Sequence, residues 1–314
     1  MASLTSALDR HAQGGGISSA AYSSATQGLS PNSLLQIFGN LTGALSSPSS
    51  AKARSVPWVA AIRGYAVSIS ATSTGLTLQY RVDTSGSTLS TSQLPIASGT
   101  TPPSLAGDLP IDVGIRDPAQ VISFVEAAEQ ATSPAAYAAF LRRQEAVRTK
   151  TGVDLNSLLG QLTGDLIIES DTRTTMGRAT VSDPTTAAQA LSKLAGAPKS
   201  VFTKATSITP LPGGLYAIKE PGTTLTVGLI GTQLVVGKAS PAALRAFAAA
   251  PATPAADAHG SVAFRIALID LLRLTLKTAP TSTEATILNM LGDLTGWTAA
   301  STSGLSGTAA LGLK

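Results

Sequence analysis

The chain has 314 residues, of which 43% are hydrophobic, 13% charged and 4% aromatic, with a formal net charge of +4. It has no Cys and two His, His11 and His259, which excludes disulfides, thiol catalysis, Cys-based zinc or iron–sulfur sites and any centre assembled from several imidazoles of one chain. The length suffices for a core that removes roughly three quarters of the unfolded surface, and it predicts about two domains or lobes.

In chain order, the opening run MASLTSALDRHAQGGG places an acid at position nine and lacks the apolar core of a signal peptide. Five times a Ser or Asp stands before a Pro that leads an Ala- or Leu-rich run: Ser30-Pro31, Asp117-Pro118, Ser133-Pro134, Asp183-Pro184 and Ser240-Pro241. The Ser or Asp oxygen can accept from the first free helical N–H groups, and Pro at the next position loses no bond there. Five helix starts are therefore expected. The strongest spans Pro134 to about Lys150, with Tyr137, Ala138, Phe140 and Leu141 as its core stripe and Gly152 as its stop. Pro118 to Ala131 is expected to bury Val121, Phe124, Val125 and Ala128. Pro184 to Ala195 and Pro241 to Ala250 are shorter helices with small side chains.

Between these runs the pattern alternates with period two and is rich in β-branched residues. Ala60 to Val82 predicts a hairpin turning near Ser73-Thr74-Gly75, and Asp165 to Val181 another turning near Asp171-Thr172-Arg173. Gly214 to Lys219, Thr223 to Ile230 and Gln233 to Lys238 predict a meander. Such short connections force antiparallel pairing. The expected fold class is α+β, antiparallel sheets with helices packed on one face. Leu225 to Val236, the longest apolar stretch, is broken by Gly231-Thr232-Gln233 and falls short of the roughly 20 residues a membrane helix needs. Ser85 to Pro110 and Ala250 to Ala258 are aperiodic and rich in Ser, Thr, Gly, Pro or Ala, the composition of linkers.

A pentad, Gly-[Asn/Gln/Asp]-Leu-Thr-Gly, occurs at 39–43, 160–164 and 292–296. Ser6 to Ala12 resembles Ala242 to Ala248, and the strand pair from Gly64-Tyr65 to Gly75-Leu76 resembles that from Gly296-Trp297 to Gly304-Leu305, at near-equal offsets. This predicts a duplicated module with one copy N-terminally incomplete. Residues 1–84 would be the C-terminal half-module of a first repeat, 85–108 a linker and 109–314 a complete second repeat, with halves 109–240 and 241–314.

Several passages carry a family likeness. They are Thr151-Gly152-Val153-Asp154-Leu155 running on to Gly164-Asp165, then Gly213-Gly214-Leu215-Tyr216, the strand Thr224 to Ile230, and Gly231-Thr232-Gln233-Leu234-Val235-Val236-Gly237. The Ser240-Pro241-Ala242-Ala243-Leu244 helix start and the closing Gly296-Trp297 hairpin complete the set. In order, they resemble an uncharacterised bacterial envelope family, domain of unknown function 3352. The resemblance implies an extracytoplasmic or cell-envelope location, with an upstream anchor missing from this chain, since members of that family commonly carry an N-terminal anchor or lipoprotein signal. It implies no activity.

The residues themselves point to no reaction. No G-x-S-x-G turn accompanies His11 or His259, and both are expected to be surface histidines. The acids cluster at Asp108, Asp112 and Asp117, and at Asp165, Glu169 and Asp171. On a strand, 165, 167, 169 and 171 share a face opposite Leu166 and Ile168, which predicts a wet acidic side with Arg173 or Arg178 pairing across the hairpin. No D-x-D-x-D-G calcium loop or phosphate-binding glycine motif is present. Arg142, Arg143, Arg148 and Lys150 on one helix, interleaved with Glu145, are expected to form a solvated face and no nucleic-acid patch. Trp58, Trp297, Phe124, Phe140, Phe202, Phe247 and Phe264 are expected to fill the core. No catalytic, cofactor or metal residue is assigned. The expected function is a non-enzymatic envelope scaffold or interaction protein, whose partners are other envelope proteins or lipid. The alternative is a carrier or sensor of an apolar ligand held in a cavity between sheet and helices.

Overall fold

A computed structural model of the protein describes residues 19–197, 207–275 and 288–314. The strands are β1 (Leu35–Asn40), β2 (Gly64–Thr72), β3 (Gly75–Asp83), β4 (Ser104–Leu105), β5 (Ile111–Arg116), β6 (Leu162–Ser170) and β7 (Thr175–Val181). They continue with β8 (Ser207–Leu211), β9 (Leu215–Glu220), β10 (Thr223–Ile230), β11 (Gln233–Lys238), β12 (Thr253–Pro254), β13 (Val262–Ile266), β14 (Leu291–Ser301) and β15 (Gly304–Leu313). The helices are α1 (Ser19–Thr26), α2 (Thr42–Leu45), α3 (Ala51–Arg54), α4 (Pro57–Ala61), α5 (Pro118–Thr132), α6 (Pro134–Thr151), α7 (Leu155–Leu159), α8 (Pro184–Ala195), α9 (Pro241–Ala249) and α10 (Leu268–Thr275). The fold is α+β, as the alternation and the short turns require.

Thirteen strands form one open sheet in the order β1-β2-β3-β15-β14-β13-β5-β6-β7-β11-β10-β9-β8. Neighbouring strands run antiparallel, and β4 pairs separately with β12. The connection from one strand through helix to a hairpin beside it recurs in β1 to β3, β5 to β7 and β13 to β15. The first and third of these units meet where β3 pairs β15. The pentads do not mark equivalent points: residues 39–43 close β1 and enter α2, 160–164 run into β6, and 292–296 lie within β14. Ser6 to Ala12, His11 and Phe202 lie outside the described residues.

Four of the five Pro devices open helices. Asp183 accepts from Thr186 N (2.9 Å) and Ser240 from Ala243 N (3.1 Å), as a capping side chain should. Asp117 and Ser133 precede α5 and α6 without a capping bond, so there the Pro alone sets the start. Ser30-Pro31 leads into β1 instead of a helix. The alternating run Leu35-Gln36-Ile37-Phe38 pairs along β2, and that ladder outweighs the local helix signal.

The expected core stripe of α6 is not buried. Phe140 and Leu141 are 40% and 42% exposed, as is Val125 of α5 at 54%, while Val147 is buried. Helix α6 packs along α5, and its buried residue, Val147, lies toward its C-terminal end. Arg142, Arg143, Arg148 and Lys150 lie on its exposed surface, with Arg148 paired to Glu145 at 2.8 Å.

Side chains directly opposite each other on antiparallel neighbours point the same way, so the register sorts the sheet into two faces. One face carries Ile167, Met176, Leu215 and Val235, which pack with Leu244 and Phe247 of α9 as the main core. Helix α1 lies on this face too, where Ser24 Oγ donates to Asp83 (3.1 Å) and Tyr22 to Gln36 (2.6 Å). The stretch 85–108 runs against the body: Leu94 is fully buried and its carbonyl accepts from Gln120 Nε2 at 2.7 Å.

Candidate functional site

Residues 103–109 form a strap across the α9 face of the sheet. Gly114 of β5 makes room for it, since a Cβ there would stand 2.4 Å from Ser104 O. Carboxylates on β5 and β6 hold the strap from below. Ser104 N donates to Asp165 Oδ2 (2.8 Å) and Gly107 N to Asp112 Oδ2 (2.7 Å). Glu169 Oε1 accepts from Asp108 N (2.6 Å) and Leu109 N (3.2 Å).

The acidic side of β6 is therefore the buried side, which corrects the wet face expected from its alternation. Asp112 and Glu169 are 0% exposed and Arg178 is 5% exposed, because the strap and α9 cover them. Polar residues can be buried where backbone donors replace water. Burial pushes the Asp112 carboxyl up to about 6. The Gly107 N–H and Arg265 oppose that shift, and Glu169 adds to it.

Arg178, placed opposite Ile167, does not pair across the hairpin. Its Nη1 donates to the carbonyls of Phe247, Ala248 (3.1 Å) and Ala250 (2.8 Å), and its guanidinium lies 4.9 Å from the Phe247 ring centre. It thus closes the C-terminus of α9, where orphan carbonyls and the helix dipole favour a cation. Burial lowers its pKa, and Glu169, Asp108 and Asp112 work against that. Arg265 Nη2 donates to Gly107 O (2.8 Å) and Leu109 O (3.3 Å), while its Nη1 meets Asp293 at 3.2 Å. Sequence reasoning missed Arg265. Its signal was a lone cation inside the apolar run Val262 to Ile266.

The remaining acids serve turns. Asp171 accepts from Arg173 N (2.7 Å) and Thr174 N (2.6 Å), and Asp117 takes a positive φ of 49° before α5. Asp108, Asp112, Asp165 and Glu169 converge at the strap, whereas Asp117 and Asp171 sit at opposite ends of the β5–β6 pair. His259 is exposed, with its ring edge-on to Trp297 at 5.8 Å. Trp297 borders a hollow of about 390 Å³ with Leu105, Ala258 and Thr308. Among the described residues, no group of three or more potential ligands is placed to hold a metal ion.

The opposite face is different in kind. Its register rows read Leu35–Ile69–Leu78–Ala309–Gly296–Phe264–Val113–Ile168–Gly177–Val236–Val227–Tyr216 across twelve strands. The flanking row carries Ile37, Val67, Tyr80, Gly307, Thr298, Val262 and Ile115. No charged residue stands in either row. At about 4.8 Å per strand the face is roughly 60 Å across. Leu35, Ile37, Leu76 and Val236 are 48%, 45%, 41% and 43% exposed, and Val67, Ile69, Leu78, Tyr80, Val113, Ile168 and Phe264 are half-buried.

Three aromatic rings lie flat on this face because the neighbouring strand has glycine beneath them. A Cβ at Gly39 would meet the Tyr65 ring at 2.3 Å, one at Gly307 the Tyr80 hydroxyl at 2.5 Å, and one at Gly296 the Phe264 ring at 2.5 Å. The Tyr80 hydroxyl reaches over Gly307 to Thr298 Oγ1 (2.5 Å), which satisfies its polar end within the face. Of the residues expected to fill the core, Phe247 does so and Phe264 paves this face. Trp58 is half-buried, and Phe140 stands at the surface.

No helix among the described residues is long and apolar enough to cross a membrane. No protein-family model matches the chain, and no curated relative matches it. One solved structure, described as crystal form IV of TP0453, is similar at 12% identity with a TM-score of 0.33, over 69% of this chain and 78% of its own.

Proposed function

We propose that this chain is a non-catalytic carrier of an apolar ligand, a lipid acyl chain, which lies on the apolar face of the thirteen-stranded sheet. The observation that carries the reading is the continuity of that face. Two register rows of aliphatic, aromatic, Gly and Thr side chains hold no charge, and four of their large residues or immediate neighbours are 41–48% exposed. Apolar patches of that extent mark sites of interaction, and burying them against acyl chains returns roughly 25 cal/mol per Å². The flattened Tyr65, Tyr80 and Phe264 rings give a smooth floor that accepts chains of varied length. Resemblance to the envelope family gives the proposal its setting, a cell envelope where lipid is abundant.

The test is native mass spectrometry of the chain purified without detergent. A population carrying added mass in the phospholipid or fatty-acid range supports the reading, and a consistently bare mass after incubation with phosphatidylglycerol vesicles contradicts it. A second reading, an envelope scaffold, is favoured by the β1 edge. Strand β1 has no Pro or charged residue, Leu34 beside it is 72% exposed, and among the described residues it is an end strand of the sheet, an edge that suits strand addition. The same spectra would then show a second protein chain in place of lipid.

A further inference from the structure

The strap at 103–109 crosses two buried carboxylates that share its backbone donors, and each leaves its second oxygen, Asp112 Oδ1 and Glu169 Oε2, without a partner. The groups facing Asp112 are Glu169 on β6, Arg178 on β7, Arg265 on β13 and Asp108 on the strap. Asp270 and Arg273 of α10 border the strap's outer end. Both inner arginines are engaged elsewhere, Arg178 with the end of α9 and Arg265 with strap carbonyls and Asp293. Among the described residues neither forms an ion pair with Asp112 or Glu169. Within the strap Gly107 takes a left-handed φ of +85°, and upstream of it Gly99 (φ +127°) has open space where a Cβ would stand. Gly107 and Asp108 are exposed at its crest, whereas Pro103 is fully buried and Ala106 and Leu109 pack against the core, so the crest is the part free to open.

We propose that this strap is a pH-dependent latch, closed over the sheet while Asp112 carries a proton and released as Asp112 ionises beside Glu169. An ionised Asp112 in the closed state is a buried charge next to a second carboxylate, whereas in the open state water solvates it. With the closed-state pKa raised from 3.8 to about 6 by burial first, the sign follows. Closure is fully favoured below the open-state value and loses that favour as pH rises through the closed-state one. Between pH 5 and 7.5 the opening equilibrium is expected to rise about tenfold through Asp112 alone. Opening uncovers the polar floor of Asp112, Asp165 and Glu169.

Amide hydrogen exchange of the full chain, corrected for intrinsic rates, reads this directly at Gly107, Asp108 and Leu109. The expected result is about tenfold more opening at pH 7.5 than at pH 5 at these amides, with the amides of β6, β7 and β11 unchanged. Asp112→Asn, which keeps an acceptor for Gly107 N, should abolish the difference. Glu169→Gln should move the step to lower pH by removing the neighbouring carboxylate. Equal opening at both pH values, a difference that persists in Asp112→Asn, or a parallel change at the β6, β7 and β11 amides would overturn the latch.

Discussion

Arg178→Ala is expected to destabilise the fold by about 3–5 kcal/mol, read as a fall in the urea midpoint at pH 7. The magnitude follows from what the guanidinium does at once. It donates to the carbonyls of Phe247, Ala248 and Ala250 at the end of α9, and each carbonyl left bare in the interior costs about 1–3 kcal/mol. It also lies over the Phe247 ring, a contact of about 0.5–2 kcal/mol. Finally, its charge is felt by a group of acids that includes the fully buried Glu169 and Asp112. These contributions overlap, so they do not add. Arg178→Lys keeps the charge and loses the fan of donors, and is expected to recover part of the loss. A loss below about 1 kcal/mol for Arg178→Ala would mean that α9 does not rest on this residue.

The second large effect concerns binding. Ile37→Glu and Leu76→Glu place a carboxylate on the apolar face at positions that are 45% and 41% exposed, where water solvates the new charge in the free protein. Stability should change by no more than about 0.5 kcal/mol. Under a bound acyl chain the same carboxylate would be desolvated without a partner, at a cost of several kcal/mol. Affinity for a fluorescent fatty-acid probe is therefore expected to fall at least about 100-fold in the double variant. Leu141→Glu, on the exposed face of α6, should leave it unchanged. Equal affinity of wild type and double variant would remove the ligand from this face.

Much of the sheet was legible in the sequence because hairpins are local. Ser73-Thr74-Gly75, Asp171 to Arg173 and the glycines at 213, 214, 222 and 231 fix turns whose flanking alternations pair within a few residues, so β2–β3, β6–β7 and β9 to β11 follow from neighbours alone. Which strand lies beside β3 depends on β15, more than 200 residues away, and no local pattern carries that. The two faces were harder. The alternation of Asp165, Ile167 and Glu169 against Leu166 and Ile168 is the same whichever side is covered. The usual rule assigned the acids to water, but a strap of seven residues supplies their hydrogen bonds and α9 supplies the cover. Phe140 and Leu141 misled for the related reason that a helical stripe shows amphipathicity but not whether a partner is present. The glycines at 39, 296 and 307 let Tyr65, Phe264 and Tyr80 lie flat, a relation visible only once the register is known.

A diazirine-bearing fatty acid photolysed on the purified chain tests most directly whether the apolar face is the ligand surface. Peptide mapping is predicted to place the adducts on β2, β3, β13 and β5, at residues such as Val67, Tyr80, Phe264 and Val113. Adducts confined to the α5–α6 groove around Val125 and Phe140, or spread evenly over the surface, would contradict it.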